Sequence, residues 1–278
     1  MPYLLSKMRG GQLTVSGIDD QVSRGSWAQL QMPADLVQHL AGGEKARCLG
    51  ILDRHMRYQY RDDAPYGPKD KALIVGCLDE IETDIGRAPA AEVPSRETQL
   101  AMIASLKRSF ARDFTEDAPG VDSSTRLLNA RDESMYQNCR WLASRLPAGS
   151  KVIIWTATTH AAKDPRRVAG FEGRVPLGKR LQDDHGTRSF TLFISAASGS
   201  YALTRQPVQQ LSPAPDGSLE QRAFAGAGDA RYYGKNELHE LGAIAGRALG
   251  TSFKTAPWDE LCDGLVVFRE ERPPEPLR

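Results

Sequence analysis

No stretch of this 278-residue chain is apolar for the roughly 20 residues that a bilayer-spanning helix needs, and nothing near Met1 has the pattern of a cleaved signal. Charge of one sign is also missing. Lys and Arg total 36 against 35 for Asp and Glu, so the formal net charge is +1, and the chain lacks the field that draws a protein to nucleic acid or anionic lipid. Cysteine is sparse. Cys48, Cys77, Cys139 and Cys262 lie far apart with no Cys-x-x-Cys pair, which argues against a zinc site and leaves reduced core thiols as the expectation. There is no Gly-x-Ser-x-Gly elbow for a serine nucleophile. Gly226, Gly228 and Gly234 follow no apolar strand and miss the Gly-x-Gly-x-x-Gly spacing, so the expectation is a loop around Arg231, Tyr232 and Tyr233 and no dinucleotide. These absences point to a cytoplasmic protein that handles a small molecule without nucleic acid, membrane, metal or cofactor.

What is present is an ordinary globular composition, 40% hydrophobic and 26% charged, which can bury a sizeable core. Leu13 to Ile18 reads as a strand. Pro33 opens a helical region with three apolar stripes: Leu49, Leu52, Met56 and Tyr60; Leu73, Cys77, Ile81 and Ile85; and Ile103, Leu106, Phe110 and Phe114. Turn-rich connections at 62–68 and 86–94 separate them. Leu128, Met135, Cys139, Leu142 and Leu146 form a further helical stripe, stopped by Pro147 and Gly149. Lys151 to Trp155 is a β-branched apolar run that fits a central parallel strand covered on both sides. A short helix from Pro176 to His185, a strand at Phe190 to Ser195, a last helix carrying Leu238, Leu241, Ala245 and Leu249, and a strand at Leu265 to Phe268 complete the reading. Strands alternating with helices predict one α/β domain over 1–278, with a mainly parallel sheet flanked by helices and a helical insertion at about 30–120.

The chemistry concentrates between Arg131 and Asp164. At about 100° per residue, Arg131 and Asn138 project within about 20° of each other on the shoulder of the Met135 stripe. His160 falls just past the carboxyl end of the predicted Lys151 strand, where α/β sheets gather their ligand sites. His39 and His55 lie on predicted helices and read as surface or internally satisfied groups, and His239 as exposed.

The segment resembles the erythromycin esterase family, whose members carry Arg-Asp-x-x-Met-x-x-Asn on a helix and then a strand ending Trp-Ala-His-Asn-x-His. Arg131, Asp132, Met135 and Asn138 match the first motif, and Trp155 to His160 the second. Ala157 and Thr158 depart from it, standing where the family has His-Asn. Gly17, Asp19 and Gln21 match a family Gly-x-Asp-x-Gln, Leu177, Gly178 and Leu181 a Leu-Gly-x-x-Leu, and Ser198 to Tyr201 a Gly-Ser-aromatic turn. The family's Gly-Glu-x-x-His segment is not found, so the resemblance implies a domain short of its N-terminal section, with self-association through an exposed sheet edge. It also implies hydrolysis of a carboxylic ester or lactone by histidine-assisted attack of water. His160 would be the base and Arg131 would stabilise the oxyanion, with Asp19, Asp132, Asn138, Trp155 and Ser200 binding substrate or orienting these groups. The alternative is a non-catalytic relative that at most binds a ligand.

Overall fold

The computed structural model describes residues 2–57, 67–88, 95–113, 122–202, 206–224 and 228–273. The chain forms two compact units, residues 1–120 with 137–150, and residues 121–136 with 151–278.

Unit 1 is helical: α1 (Pro2–Arg9), α2 (Trp27–Leu30), α3 (Met32–Leu36), α4 (Gly42–Met56), α5 (Pro68–Arg87), α6 (Arg96–Asp113) and the last part of α7 (Ser123–Ala143). The predicted stripes make its core. Leu52, Met56, Ile74, Cys77, Ile81, Ile85, Ile103, Leu106 and Phe110 are buried together. On α4 the buried face also takes Cys48 and Ile51, while Leu49 is only partly covered. Tyr60 and Phe114 lie outside the described residues.

Two expectations for this region change. Cys48 and Cys77 are not free thiols. The packing of α4 on α5 brings their Cα atoms to 5.4 Å and joins them in a disulfide, while Cys139 and Cys262 remain reduced and buried. Leu13 to Ile18 joins no β-ladder, because no partner strand lies beside it among the described residues, and Val15 is 60% exposed.

Unit 2 begins with the first turns of α7, capped by Asp122, whose carboxylate accepts from the amides of Ser124 (3.3 Å) and Thr125 (2.9 Å). It continues through α8 (Thr158–Ala161), α9 (Leu177–His185), α10 (Leu219–Ala223), α11 (Lys235–Leu241) and α12 (Trp258–Leu261). Its strands are β1 (Leu192–Tyr201), β2 (Gln209–Gln210), β3 (Ala230–Gly234), β4 (Ala243–Gly246), β5 (Lys254–Pro257) and β6 (Gly264–Glu271).

One four-stranded sheet runs β2-β1-β6-β3, and β4-β5 is a separate hairpin. Only β1 and β6 are parallel; the other described pairs are antiparallel, so the sheet is mixed rather than mainly parallel. The Lys151 run, expected at the centre of the sheet, is extended but pairs with no described strand, and Ile153 and Trp155 are 89% and 90% exposed.

Three local corrections have clear causes. The loop expected around Tyr232 and Tyr233 is β3, whose two tyrosines alternate between the open and buried faces as a strand requires. The last helix stops at Leu241, because Gly242 takes a φ of 64° and turns the chain into the β4-β5 hairpin. The expected turn at Ser198 to Tyr201 instead continues β1, with Gly199 (φ 113°) so close to β6 that a Cβ there would lie 2.0 Å from the Glu271 carbonyl oxygen. Among the described residues no helix is long and apolar enough to cross a membrane.

Candidate active site

The site in unit 2 grows from the first half of α7. Asn129 grips the loop that leads to α9, donating to the Gly173 carbonyl and accepting from the Val175 amide, both at 2.8 Å. One turn later Asp132 takes the next part of that loop, accepting from the Leu177 amide at 3.0 Å through Oδ1 and from Arg174 at 3.2 Å through Oδ2. Glu133 pairs with Arg180, and the Tyr136 hydroxyl donates to Asp184, so α9 is held along its length.

Gly178 closes the arrangement from the other side. A Cβ at this position would sit 1.9 Å from the Ala161 carbonyl oxygen, so α8 and α9 meet at a distance only glycine permits. That contact places His160, on α8, with its Nδ1 2.8 Å from Asp132 Oδ1.

The partners of the carboxylate decide the tautomer of the neutral ring. Asp132 is fully buried, and the His160 side chain is 11% exposed. The Asp132 carboxylate is an acceptor for Arg174 and for the Leu177 amide, so Nδ1 of His160 is the N–H that donates to it. Nε2 then carries the lone pair, and it has no hydrogen-bond partner among the described residues. A buried imidazole with a fixed tautomer and a free Nε2 can accept a proton from a water or hydroxyl placed against it. Arg174 is 7% exposed, and its Nε is buried without a partner among the described residues, so the dyad rests on a nearly dry cation.

The remaining expected site residues are placed differently. Arg131 precedes Asp132 on α7, half-buried and engaged in contacts of its own. Asn138 belongs to unit 1, where its amide accepts from Arg108 at 2.6 Å and donates to the Ile18 carbonyl at 2.8 Å and Ser105 Oγ at 2.9 Å, fastening the Leu13–Ile18 segment to α6. Asp19 is exposed and accepts from the Gln21 amide at 3.1 Å; its neighbour Asp20 is the buried carboxylate, held by Arg112 at 2.9 Å to both oxygens. Ser200 lies within β1 opposite Gln210. Neither Ser200 nor Trp155 hydrogen-bonds to the Asp132–His160 pair among the described residues. Arg174 and the Leu177 amide were missed in the sequence, although the Leu-Gly pair at 177–178 marks the place where they converge.

One described group of donors is close enough to hold a metal: Cys48, Cys77 and Glu80. Its sulfurs are spent on the disulfide, and Glu80 takes two hydrogen bonds from Arg47, at 2.9 and 2.7 Å. A cavity of about 340 Å³ opens on unit 2 between Lys163, Asp164, Lys179, Lys235, Asp259 and Glu260, and His160 does not line it.

The profile of the erythromycin esterase family matches residues 36–260, most of the chain and all of the dyad. The chain belongs to the erythromycin esterase family. Its fold is similar to those of a Bacillus cereus protein (TM-score 0.63, 14% identity, 97% of this chain and 71% of that one) and a succinoglycan biosynthesis protein (0.66, 10%, 97% and 67%). It is similar as well to a variant of the erythromycin esterase EreC in its open conformation (0.60, 14%, 95% and 70%). At such identities the likeness is one of fold. No curated protein matches the sequence. Within the family pattern, the structure brings together the retained Asp132, His160 and Leu177.

Proposed function

We propose that the chain is a hydrolase of a carboxylic ester or lactone in which His160 is the general base and Asp132 its positioning partner. The observation that carries this reading is the buried contact of 2.8 Å between His160 Nδ1 and Asp132, which fixes the tautomer and leaves Nε2 for the reaction. A water attacking the ester carbonyl carbon gives its proton to Nε2, and Asp132 stabilises the imidazolium that forms. The same proton then goes to the leaving alkoxide as the tetrahedral intermediate collapses. Arg131 is the cation assigned to the negative charge on the carbonyl oxygen. The similarity to EreC makes a macrolide lactone the first substrate to try.

The reading includes a cytoplasmic location. The Cys48–Cys77 disulfide weighs against it, because such bonds are rare in that compartment. Counting free thiols on protein trapped with alkylating reagent in intact cells decides the point.

A second reading, a ligand-binding relative without turnover, is favoured by Ala157. This residue, the N-cap of α8, offers no side-chain hydrogen bond where the family pattern has a histidine. Hydrolysis of p-nitrophenyl acetate and of erythromycin, followed against His160→Ala and Asp132→Asn, separates the two. Turnover lost in His160→Ala supports the hydrolase; erythromycin binding without turnover selects the second reading.

A further inference from the structure

Register sorts the main sheet of unit 2 into two faces. One carries the row Phe193, Leu265, Tyr233, whose members are at most 6% exposed and belong to the core beneath. On the other face the rows are Leu192, Gly264, Gly234; Ile194, Val266, Tyr232; and Ala196, Phe268, Ala230. None of these nine positions bears a charge; the next row out on the same face is Ser198 and Glu270, and Glu270 is paired with Arg272 at 3.0 Å.

This second face is open as well as neutral. Leu192 is 47% exposed, Ile194 49%, Tyr232 48% and Phe268 43%, and Phe190, two residues before β1, is 66% exposed; Val266 is half-buried and Ala196 is covered. A solvated sheet face normally alternates to polar residues, and a parallel pair such as β1-β6 is normally covered on both sides. Tyr232 lies across Gly264, where a Cβ would meet its ring at 2.7 Å, so the glycine lets the aromatic ring lie flat on the sheet.

We infer that this face is a self-association surface on which a second copy of the chain packs sheet against sheet. The partner follows from size and charge. Three half-open aromatic side chains and two half-open aliphatic ones leave roughly 400–500 Å² of apolar surface, about the apolar share of the ~800 Å² per partner in a standard interface. A patch whose nine inner positions are uncharged, and whose bordering Glu270 is already paired with Arg272, meets its own copy about a two-fold axis without burying an unpaired ion, whereas a charged partner surface would lose its hydration with no compensating group in the patch. Two twisted sheets packed this way stand about 10 Å apart with their side chains interleaved.

Sedimentation of the full chain from about 1 to 100 µM tests the inference, with a dimer expected to dominate the upper part of that range. Ile194→Glu should raise the dissociation constant at least tenfold while the far-ultraviolet circular dichroism stays that of the parent. Should Ile194→Glu fail to fold, Tyr232→Lys on the edge strand β3 replaces it with the same expectation. A parent that stays monomeric throughout overturns the inference. So does a dimer indifferent to the substitutions, which would point to pairing through the edge of β1 that faces no described strand over 192–198.

Discussion

Replacing Asp132 with alanine strikes the one group on which the candidate site converges. The carboxylate is fully buried and accepts from His160 at 2.8 Å, Leu177 N at 3.0 Å and Arg174 at 3.2 Å. Its removal strands a guanidinium whose side chain is 8% exposed, and a buried ion that loses its partner costs about 3–5 kcal/mol. The Leu177 amide adds about 1–3 kcal/mol if no water reaches it. The two losses share one pocket and do not simply sum. A loss of at least 3 kcal/mol is therefore expected, a large part of the roughly 5–15 kcal/mol that holds a typical domain together. Urea unfolding followed by tryptophan fluorescence measures it. Asp132→Asn makes a useful companion, because His160 Nδ1 and the Leu177 amide share Oδ1: an amide oxygen there keeps both bonds but turns its NH₂ onto Arg174, whereas the flipped amide donates to Nδ1 and meets the Leu177 N–H with a second donor. Nitrogen-15 imidazole shifts should report on which ring nitrogen the proton then sits, and in either case loss of the carboxylate that steadies the imidazolium should lower any esterase turnover by orders of magnitude. An Asp132→Ala protein within about 1 kcal/mol of the parent would refute the reasoning, because the carboxylate would then be neither buried nor paired as described.

Gly178→Ala should part α8 from α9 and move His160 off Asp132, since the added carbon meets the Ala161 carbonyl oxygen at 1.9 Å; loss of the His160–Asp132 signature in the imidazole spectrum checks it, and an unchanged spectrum contradicts it. In unit 1, burial against the Phe110 ring, 4.3 Å away, pushes the His55 pKa down to about 4. The unfolded chain then binds the extra proton first, so stability present above about pH 6.5 falls by on the order of 3 kcal/mol as the pH drops towards 4, and His55→Phe should flatten that part of the curve. The Cys48–Cys77 bond spans 29 positions, so chain entropy assigns it about 3.5 kcal/mol, and Cys48→Ala with Cys77→Ala should lower stability by that order; a melt insensitive to the pair would show that the bond does not form.

Helices were legible in the sequence because their stripes depend on local periodicity alone. The buried set of α4, α5 and α6 is nearly the predicted one, and α9 begins and ends where Pro176 and Gly186 say it should. Strands fared worse because their assignment needs a neighbour. Lys151 to Trp155 has every composition cue of a central strand, yet no described strand pairs with it and Trp155 is 90% exposed. Conversely β3 hid in a run of arginine, tyrosine and glycine, because its pairing with β6 comes from residues 30 to 38 positions away. The disulfide was missed for the same reason. Two cysteines 29 apart look unrelated until α5 turns back along α4.

The site itself was half legible, and helix phase alone does not separate the halves. Counting about 100° per residue from Asp132, Cys139, Leu128, Met135 and Leu142 fall about 20°, 40°, 60° and 80° to one side, with Arg131 and Asn138 about 100° and 120° to that same side, so Asp132 and Arg131 flank the apolar stripe alike. What puts Asp132 inside the buried face is Tyr136, about 40° to its other side and buried together with Met135 and Cys139. A carboxylate in the middle of a buried helical face cannot stay ionised there alone; it requires a cation, a backbone amide or a histidine brought in from elsewhere. All three are found, as Arg174, Leu177 N and His160. Periodicity ranks Arg131 and Asp132 alike, and what separates them, the burial of Tyr136 beside the carboxylate, is a tertiary contact that the sequence pattern does not show, so attention fell on Asn138 as well. That asparagine joins the Leu13–Ile18 segment to α6, within the helical unit. The burial of Asp132 carries a consequence for mutagenesis. Asp132→Glu keeps the charge but pushes it about one methylene into a space already filled on three sides. It should therefore fail to restore the dyad, whereas a carboxylate on an open shoulder would accept the exchange.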